Sequence, residues 1–186
     1  MKKVYQLKIT LIDSNPKIWR QILVNPDTLL VDLHRIIQTI MGWTNSHLHQ
    51  FTDGINFYAP NEFEIEESIN SRTVKLNKIL RQEKEGIFYE YDFGDGWEHV
   101  IVLEKIIDED EKNQIPRCLD GKRHCPPENC GGIWGYEDLL KIISNKKNEE
   151  LKETMDWLGG KFDPDYFNLK EINKQLKEKD FGCIWL

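Results

Sequence analysis

The feature that most constrains this fold is the segment 117–132, called here the Cys/Pro/Gly loop. It holds three of the four cysteines within thirteen residues, at the spacing C-x6-C-x4-C, and two prolines and two glycines follow the second thiol. Proline fixes φ, and glycine admits backbone conformations that are closed to other residues, so such a segment has a defined geometry. The sequence therefore predicts either a metal site or a rigid binding loop.

Length and charge limit the classes of protein that the chain can belong to. At 186 residues it is predicted to form a single domain, 1–186, which is long enough to bury a core without disulfides. The formal net charge of −7 disfavours general DNA binding, because non-specific affinity for phosphates requires a basic surface. There is no long apolar run, so we expect no signal peptide, no membrane segment and a cytoplasmic location. Thiols stay reduced in that compartment, so disulfides are not expected.

Hydrophobic periodicity predicts a hairpin and then a helix at the start of the chain. Alternating apolar residues from Tyr5 to Leu11 indicate a strand, and 18–24 is predicted to be its antiparallel partner. Apolar residues at helical spacing predict a helix over 29–41, with Thr28 as its N-terminal cap and Gly42 just beyond its end.

Two further hairpins are predicted in the middle of the chain. Asp53-Gly54 is a strong two-residue turn signal between extended segments at 47–52 and 55–58. The run Gly94-Asp95-Gly96 turns the chain between strands at 87–93 and 97–107.

Helical patterns occupy the last third, and the apolar tail 181–186 is expected to dock on the core. This order predicts an α+β fold: an antiparallel or mixed sheet of hairpins, one packed helix in a β-grasp-like start, and a C-terminal helical segment. We divide the single domain into a sheet-plus-helix core (1–107), an acidic linker with the Cys/Pro/Gly loop (108–135) and a helical part (136–186).

Zinc is the cofactor that the clustered thiols predict, since structural zinc takes four Cys or His ligands. The candidate ligands are Cys118, Cys125 and Cys130, with Cys183, His99 or water as the fourth. His124 is a poor fourth ligand because it directly adjoins Cys125. The alternative is a set of reduced, partly buried thiols without metal.

The paired histidines are a weaker metal signal. His47 and His49 stand two residues apart in a predicted extended segment, so both would project from one face. Two imidazoles on one face can ligate a metal, although a structural histidine with satisfied hydrogen bonds is commoner.

Asp92 and His99 are the weak catalytic candidates, and the hairpin register decides whether they meet. If Asp95-Gly96 alone forms the turn, Asp92 lies opposite His99 and can orient it as a general base. If Gly94 to Gly96 forms the turn, Tyr91 faces His99 instead. The structural alternative is that both aspartates are turn residues.

Aromatic residues beside these motifs predict a binding rim. The candidate binding residues are Trp97, Trp134, Tyr136 and the basic Arg123. Tryptophan and tyrosine at a pocket edge stack on ligands, whereas inside a domain they form core.

Three runs of the sequence together carry a family resemblance. They are His47-Leu48-His49-Gln50-Phe51, then 89–99 with the letters YEYDFGDGWEH, and 125–136 with CPPENCGGIWGY. In this order they resemble the plasmid pRiA ORF-three-like family, some of whose members are labelled transposon passenger TnpR-like proteins. One departure is Asn129, where the family pattern has an acidic residue.

The resemblance implies an α+β domain in a prokaryotic cytoplasmic protein, often near mobile elements, and it implies no established activity. A serine recombinase is not implied, because the chain shows no nucleophilic serine among arginines. The sequence also contains no phosphate-binding glycine loop, nucleophile elbow or zinc-protease motif.

The sequence therefore favours a non-catalytic binding module, which contacts a protein or nucleic-acid partner through the Cys/Pro/Gly loop and the aromatic rim. The alternative is a metal-dependent hydrolase with a His/Asp site at the hairpin ends (His47, His49, Asp92, Asp95 and His99). A third interpretation is that the motifs only specify the fold. The first two require the thiols and the histidine-bearing strand ends to lie in one neighbourhood.

Overall fold

The structure, a computed structural model, describes residues 2–109 and 114–184. The strands are β1 (Lys3–Leu11), β2 (Trp19–Val24), β3 (His49–Thr52), β4 (Phe57–Ala59), β5 (Ile69–Asn70), β6 (Gly86–Tyr91), β7 (Trp97–Asp108) and β8 (Arg117–Lys122). The helices are α1 (Leu30–Met41), α2 (Leu76–Ile79), α3 (Gly132–Ser144), α4 (Leu151–Trp157) and α5 (Leu169–Gln175), with short 3-10 helices at Asn61–Phe63, Ser71–Thr73 and Lys179–Gly182.

The strands described here form one sheet in the order β5-β4-β3-β6-β7-β1-β2-β8. Its pairs are antiparallel except β4 with β5, so the sheet is mixed. With the helices, this confirms the predicted α+β fold. None of the described helices is long and apolar enough to cross a membrane.

The core lies between one face of the sheet and α1. β1 is an interior strand, paired with β2 and β7, and its Leu7 and Ile9 are fully buried while Lys8 between them is not. This alternation follows from the period of two along a strand. Leu33 and Ile37 of α1 belong to the same buried cluster, so the helix covers that face.

The start of α1 differs from the prediction. The N-terminal cap is Leu29 rather than Thr28, and no side chain caps the helix. Backbone groups replace that cap, since Leu30 N donates to Val74 O at 2.9 Å and Leu29 forms a β-bridge with Lys75. Gly42 ends the helix in the left-handed conformation (φ 89°), as predicted.

β8 is a strand that the sequence did not predict, because only two of its six residues are apolar. The first part of the Cys/Pro/Gly loop therefore pairs with β2 as an edge strand. The Asn173 side chain of α5 bonds both the N–H and the C=O of Cys118, which blunts that edge.

The structure differs from one smaller prediction and agrees with another. The β3–β4 connection spans residues 53–56 rather than two residues, because Asp53 Oδ1 accepts from the amides of Ile55 and Asn56. The tail docks on α1 as expected, since Thr39 Oγ1 donates to Phe181 O at 2.8 Å and Cys183 is buried. Residues 185 and 186 of the predicted tail lie outside the described residues.

Candidate ligand-binding site

The Cys/Pro/Gly loop folds back onto the β6–β7 turn and onto the segment after α1. Trp43 Nε1 donates to Pro126 O at 3.0 Å, and Gly131 N donates to Asp95 Oδ2 at 3.3 Å. Gly132 approaches Asp95 so closely that a Cβ there would lie 2.4 Å from the Asp95 carbonyl oxygen. The cysteine-bearing loop and the histidine-bearing strand ends therefore share one neighbourhood.

Glu128 ties the loop to the residues that follow α1. Its carboxylate accepts from Thr44 N at 3.2 Å, Thr44 Oγ1 at 2.5 Å, Tyr91 Oη at 2.5 Å and Ser46 Oγ at 3.4 Å. Burial, and then the hydrogen bond to this carboxylate, raise the pKa of Tyr91. The oxygens of Glu128 are thus used within the protein, and they fix the segment 44–46.

The β6–β7 turn has neither of the two registers considered from the sequence. Tyr91 pairs with Trp97 and Tyr89 pairs with His99, so five residues, 92–96, form the turn. Asp92 adopts a positive φ of 59°, and its Oδ1 accepts from Gly94 N at 3.0 Å, which closes the longer turn. Asp92 and His99 therefore do not pair, so the predicted arrangement with Asp92 opposite His99 is wrong.

His99 lies fully buried in the core. Its Nδ1 donates to Trp97 O at 3.0 Å, its side chain is fully buried, and burial lowers its pKa to about 4. Asp92 lies instead beside His47, with 3.6 Å between Oδ2 and Nε2, which is too long for a hydrogen bond.

A closed hydrogen-bond circuit surrounds His34, a residue of α1. Gln38 Nε2 donates to Tyr89 Oη at 3.0 Å, and that hydroxyl lies 2.9 Å from His34 Nδ1. His34 Nε2 lies 2.7 Å from Asn45 Oδ1, and Asn45 N donates to Gln38 Oε1 at 3.0 Å. Because Asn45 Oδ1 only accepts, His34 carries its proton on Nε2 and Nδ1 accepts from Tyr89. Burial lowers the pKa of His34 to about 3, so the ring is neutral.

His49 stacks on His34 but stands outside this circuit. The two imidazoles are parallel within 6°, with 3.4 Å between centroids, and Phe63 meets His49 edge-on at 5.1 Å. His49 is 4% exposed, and neither of its ring nitrogens has a hydrogen-bond partner among the described residues. Burial, and then the proximity of His34 and Arg72, hold its pKa well below the usual value. A neutral His49 offers one N–H and one lone pair.

These residues line a pocket of about 440 Å³, which we call the histidine pocket. Its polar lining includes His34, His47, His49, Glu62 and Arg72, and Phe63 covers part of it. Val31, Leu48 and Pro60 add apolar walls. The ion pair between Arg72 and Glu62 is about half-exposed, so it contributes little to stability.

Comparison with known proteins gives the family. Residues 3–171 match the family model described as plasmid pRiA4b ORF-3-like protein. The chain belongs to the plasmid pRiA4b ORF-3-like family. It is 35% identical over 185 residues to a protein from Sinorhizobium fredii (strain NBRC 101917 / NGR234) that is named uncharacterized protein y4hQ, covering 98% of this chain and 94% of that one.

A solved structure supports the same fold for this pRiA4b ORF-3-like protein. The crystal structure of a protein of unknown function, MM3350 from Methanosarcina mazei Go1, superposes with a TM-score of 0.84 at 35% identity and covers 92% of this chain and 98% of that one. Neither relative's name gives an activity, so the family fixes the architecture and leaves the function to the site. Association with a mobile element stays a prediction of the resemblance.

The thiols of this family member are free and largely buried. Cys118, Cys125 and Cys183 are buried, Cys130 is partly buried, and all four are free. Burial raises the pKa of Cys118 and Cys183 to about 11 and that of Cys130 to about 12, and it also holds the pKa of Cys125 well above its usual value. Within 2–109 and 114–184, no group of three or more His, Cys, Asp or Glu side chains is placed to hold a metal ion. The geometry thus gives the predicted zinc site and the metal-dependent hydrolase no support.

Thiol labelling tests the zinc prediction. We expect the native protein at pH 8 to react with a disulfide reagent at fewer than one of its four thiols within minutes, and at all four in denaturant. Because burial accounts for the protection, a chelator should leave it unchanged. About one zinc per chain by elemental analysis, with thiols released by the chelator, would instead establish the metal site.

The predicted aromatic rim does not form. Trp97 is fully buried and Tyr136 is nearly so, because both belong to the buried hydrophobic cluster of the core. Arg123 is held by an ion pair to Asp165 at 2.7 Å. Only Trp134 of the four predicted binding residues is an exposed aromatic, at 79%.

Sequence reasoning missed His34, Glu62, Phe63 and Arg72. A signal existed for His34, which interrupts the apolar face of α1 at helical spacing from Leu30. No pattern marked the other three, since the region 60–85 is charged and weakly periodic.

Proposed function

We propose that this protein is a non-catalytic binding module that takes a small ligand in the histidine pocket. The observation that carries the proposal is His49, a buried imidazole whose ring nitrogens have no partner in the described part of the chain. A buried polar group without a hydrogen bond costs about 1–3 kcal/mol. The fold keeps this cost at the wall of a pocket, where a ligand that pairs with the ring removes it.

Binding is favoured over catalysis because the nearby acid–base groups already have structural partners. His34 belongs to the hydrogen-bond circuit, Asp92 Oδ1 accepts from amides of the β6–β7 turn, and Glu128 holds Thr44 and Tyr91. The Ser46 hydroxyl lies against Thr44 and Glu128 rather than against an imidazole. This arrangement supports a preformed pocket with fixed walls.

The geometry also favours the pocket over a partner surface on the Cys/Pro/Gly loop. Glu128, Gly131 and the carbonyl of Pro126 all bond to other parts of the protein. A protein or nucleic-acid partner for that loop stays a prediction, with Trp134 as its exposed aromatic.

The first test compares two substitutions at stacked histidines. His49→Leu should raise the free energy of unfolding at pH 7 by about 1–3 kcal/mol, because it removes buried nitrogens that have no hydrogen bond among the described residues. His34→Leu should cost about 2–4 kcal/mol, because it leaves the Tyr89 hydroxyl proton without an acceptor and Asn45 Oδ1 without a donor. Urea unfolding measures both values. If the two variants lose equal stability, His49 is a structural residue and the proposal is wrong.

The second test is a fragment screen by NMR, with the His49 ring nitrogens observed through their long-range proton correlations. Ligands of the pocket should shift these signals in the wild type and lose binding in His49→Leu. His124→Gln, outside the pocket lining, is the matched control and should bind as the wild type does. A diverse screen in which no compound shifts His49 would refute the binding function.

A further inference from the structure

The histidine pocket also indicates the chemistry of its ligand. Resting on the proposed function, we propose that it binds an uncharged planar molecule whose edge carries a hydrogen-bond donor beside an acceptor, as in an aromatic amide or a cyclic amide. Three properties of the pocket support this class: its charge balance, its unpaired nitrogens and its shape.

The charge balance of the lining disfavours fully ionised ligands. Arg72 is the cation and Glu62 the anion among the lining residues described, and the two already pair. An anion entering the pocket would meet His34 and His49 in neutral form and would lie near Asp92, which stands 3.6 Å from His47. A cation would find its nearest lining carboxylate already bound to Arg72. An uncharged ligand breaks no existing pair.

The unpaired nitrogens call for both a donor and an acceptor. His49 presents one N–H and one lone pair in either tautomer, and His47 Nε2 is a further buried nitrogen that has no hydrogen bond to any described residue. The edge of an amide carries one donor and one acceptor. It can therefore donate to an imidazole lone pair and accept from an imidazole N–H while both rings stay neutral. A carboxylate offers only acceptors, and an amidinium offers only donors.

The shape of the pocket suits a flat ring. The His34–His49 stack and the perpendicular Phe63 ring present planar surfaces, and Val31, Leu48 and Pro60 supply apolar contact for the faces of a ligand. The volume of about 440 Å³ lies toward the lower end of the range for small-molecule sites. A single substituted ring, up to about the size of a nucleoside, fits this space.

Phe63 controls access to His49. Its ring packs against the imidazole with the two planes nearly perpendicular and 5.1 Å between centroids, and the imidazole nitrogens are shielded from solvent. Phe63 belongs to a single 3-10 turn that ends at Glu64 in the left-handed conformation. Rotation of this one side chain would uncover His49, so Phe63→Ala should raise the association rate constant of a pocket ligand several-fold.

The test uses three probes of the same size and shape that differ in charge: benzamide, benzoate and benzamidine. Titrations of the full chain at pH 7.5 follow the His49 ring signals. We expect benzamide to bind about tenfold more tightly than either charged probe, which corresponds to about 1.4 kcal/mol, the size of one hydrogen bond. Acetophenone, which keeps the acceptor and lacks the donor, should bind several-fold more weakly than benzamide.

The outcomes separate this inference from the proposed function. Tighter binding of benzoate or benzamidine than of benzamide would overturn the ligand class and leave the binding function standing. Equal binding of acetophenone and benzamide would overturn the need for a donor. If none of the four probes shifts the His49 signals while other fragments do, the proposed ligand class is also wrong. If no fragment at all shifts these signals, the proposed function itself is wrong.

Discussion

Lowering the pH from 7 to 5 is expected to reduce the free energy of unfolding by about 6 kcal/mol. The cause is the burial of His34, His49 and His99 as neutral rings, each at most 4% exposed. A domain of this size has a total stability of about 5–15 kcal/mol, so much of the fold should be lost near pH 5.

The sign follows from which state binds protons. Burial lowers the pKa of His34 to about 3 and that of His99 to about 4, and it holds the pKa of His49 well below the usual value. In the unfolded chain the same groups titrate near 6.5. The unfolded state therefore takes up more protons as the pH falls below 6.5. Between pH 7 and 5 each histidine lowers the free energy of unfolding by about 2 kcal/mol. The stability is complete above pH 6.5 and declines toward pH 4.

Urea unfolding at constant ionic strength, followed by tryptophan fluorescence at pH 7, 6 and 5, measures this loss. The matched control is His49→Leu, which removes one of the three titrating groups. Its loss over the same pH range should be smaller than that of the wild type by about 2 kcal/mol. A change below about 1 kcal/mol in the wild type would show that the buried histidines protonate without unfolding, and would contradict the geometry.

The sequence predicted those elements whose apolar residues follow a single period. β1, β2, α1 and the β6–β7 hairpin all have a buried face that repeats along a continuous segment. β8 was missed because an edge strand with two apolar residues has no such repeat, and its place is fixed by β2 and Asn173. The β6–β7 register was missed because Asp92 adopts a positive φ, which a turn rule for glycine does not anticipate.

The candidate site was harder to predict because it joins residues that are distant in sequence. The hydrogen-bond circuit needs partners from α1, β6 and the segment after α1, and its closure depends on Asn45 reaching Gln38. The sequence did indicate His49, and it indicated that the thiol loop would reach the strand ends. It could not show that His49 lacks a partner, since an unsatisfied atom is a property of the assembled neighbourhood.

Gly132→Ala is expected to destabilise the protein by about 4–5 kcal/mol, the second large effect that the geometry predicts. Gly132 has φ of 68°, and an alanine Cβ would lie 2.4 Å from the carbonyl oxygen of Asp95, a backbone atom that cannot rotate away. The left-handed conformation alone costs alanine about 1–2 kcal/mol. The remainder comes from forcing the loop away from the β6–β7 turn, which breaks the Gly131–Asp95 hydrogen bond.

Gly159→Ala is the matched control, because Gly159 also has a positive φ, of 74°, and a Cβ there meets nothing within 4 Å. Its free energy of unfolding should fall only by the conformational cost of about 1–2 kcal/mol. The two variants should therefore differ by about 3 kcal/mol in urea unfolding, which is the contribution of the backbone contact. Equal losses would mean that the loop and the turn are not held together by this contact. A large difference would show that Gly131-Gly132 holds the Cys/Pro/Gly loop against the β6–β7 turn at Asp95. Two of the three family motifs would then have a structural role. The His49 strand would then be the motif that the fold alone does not explain.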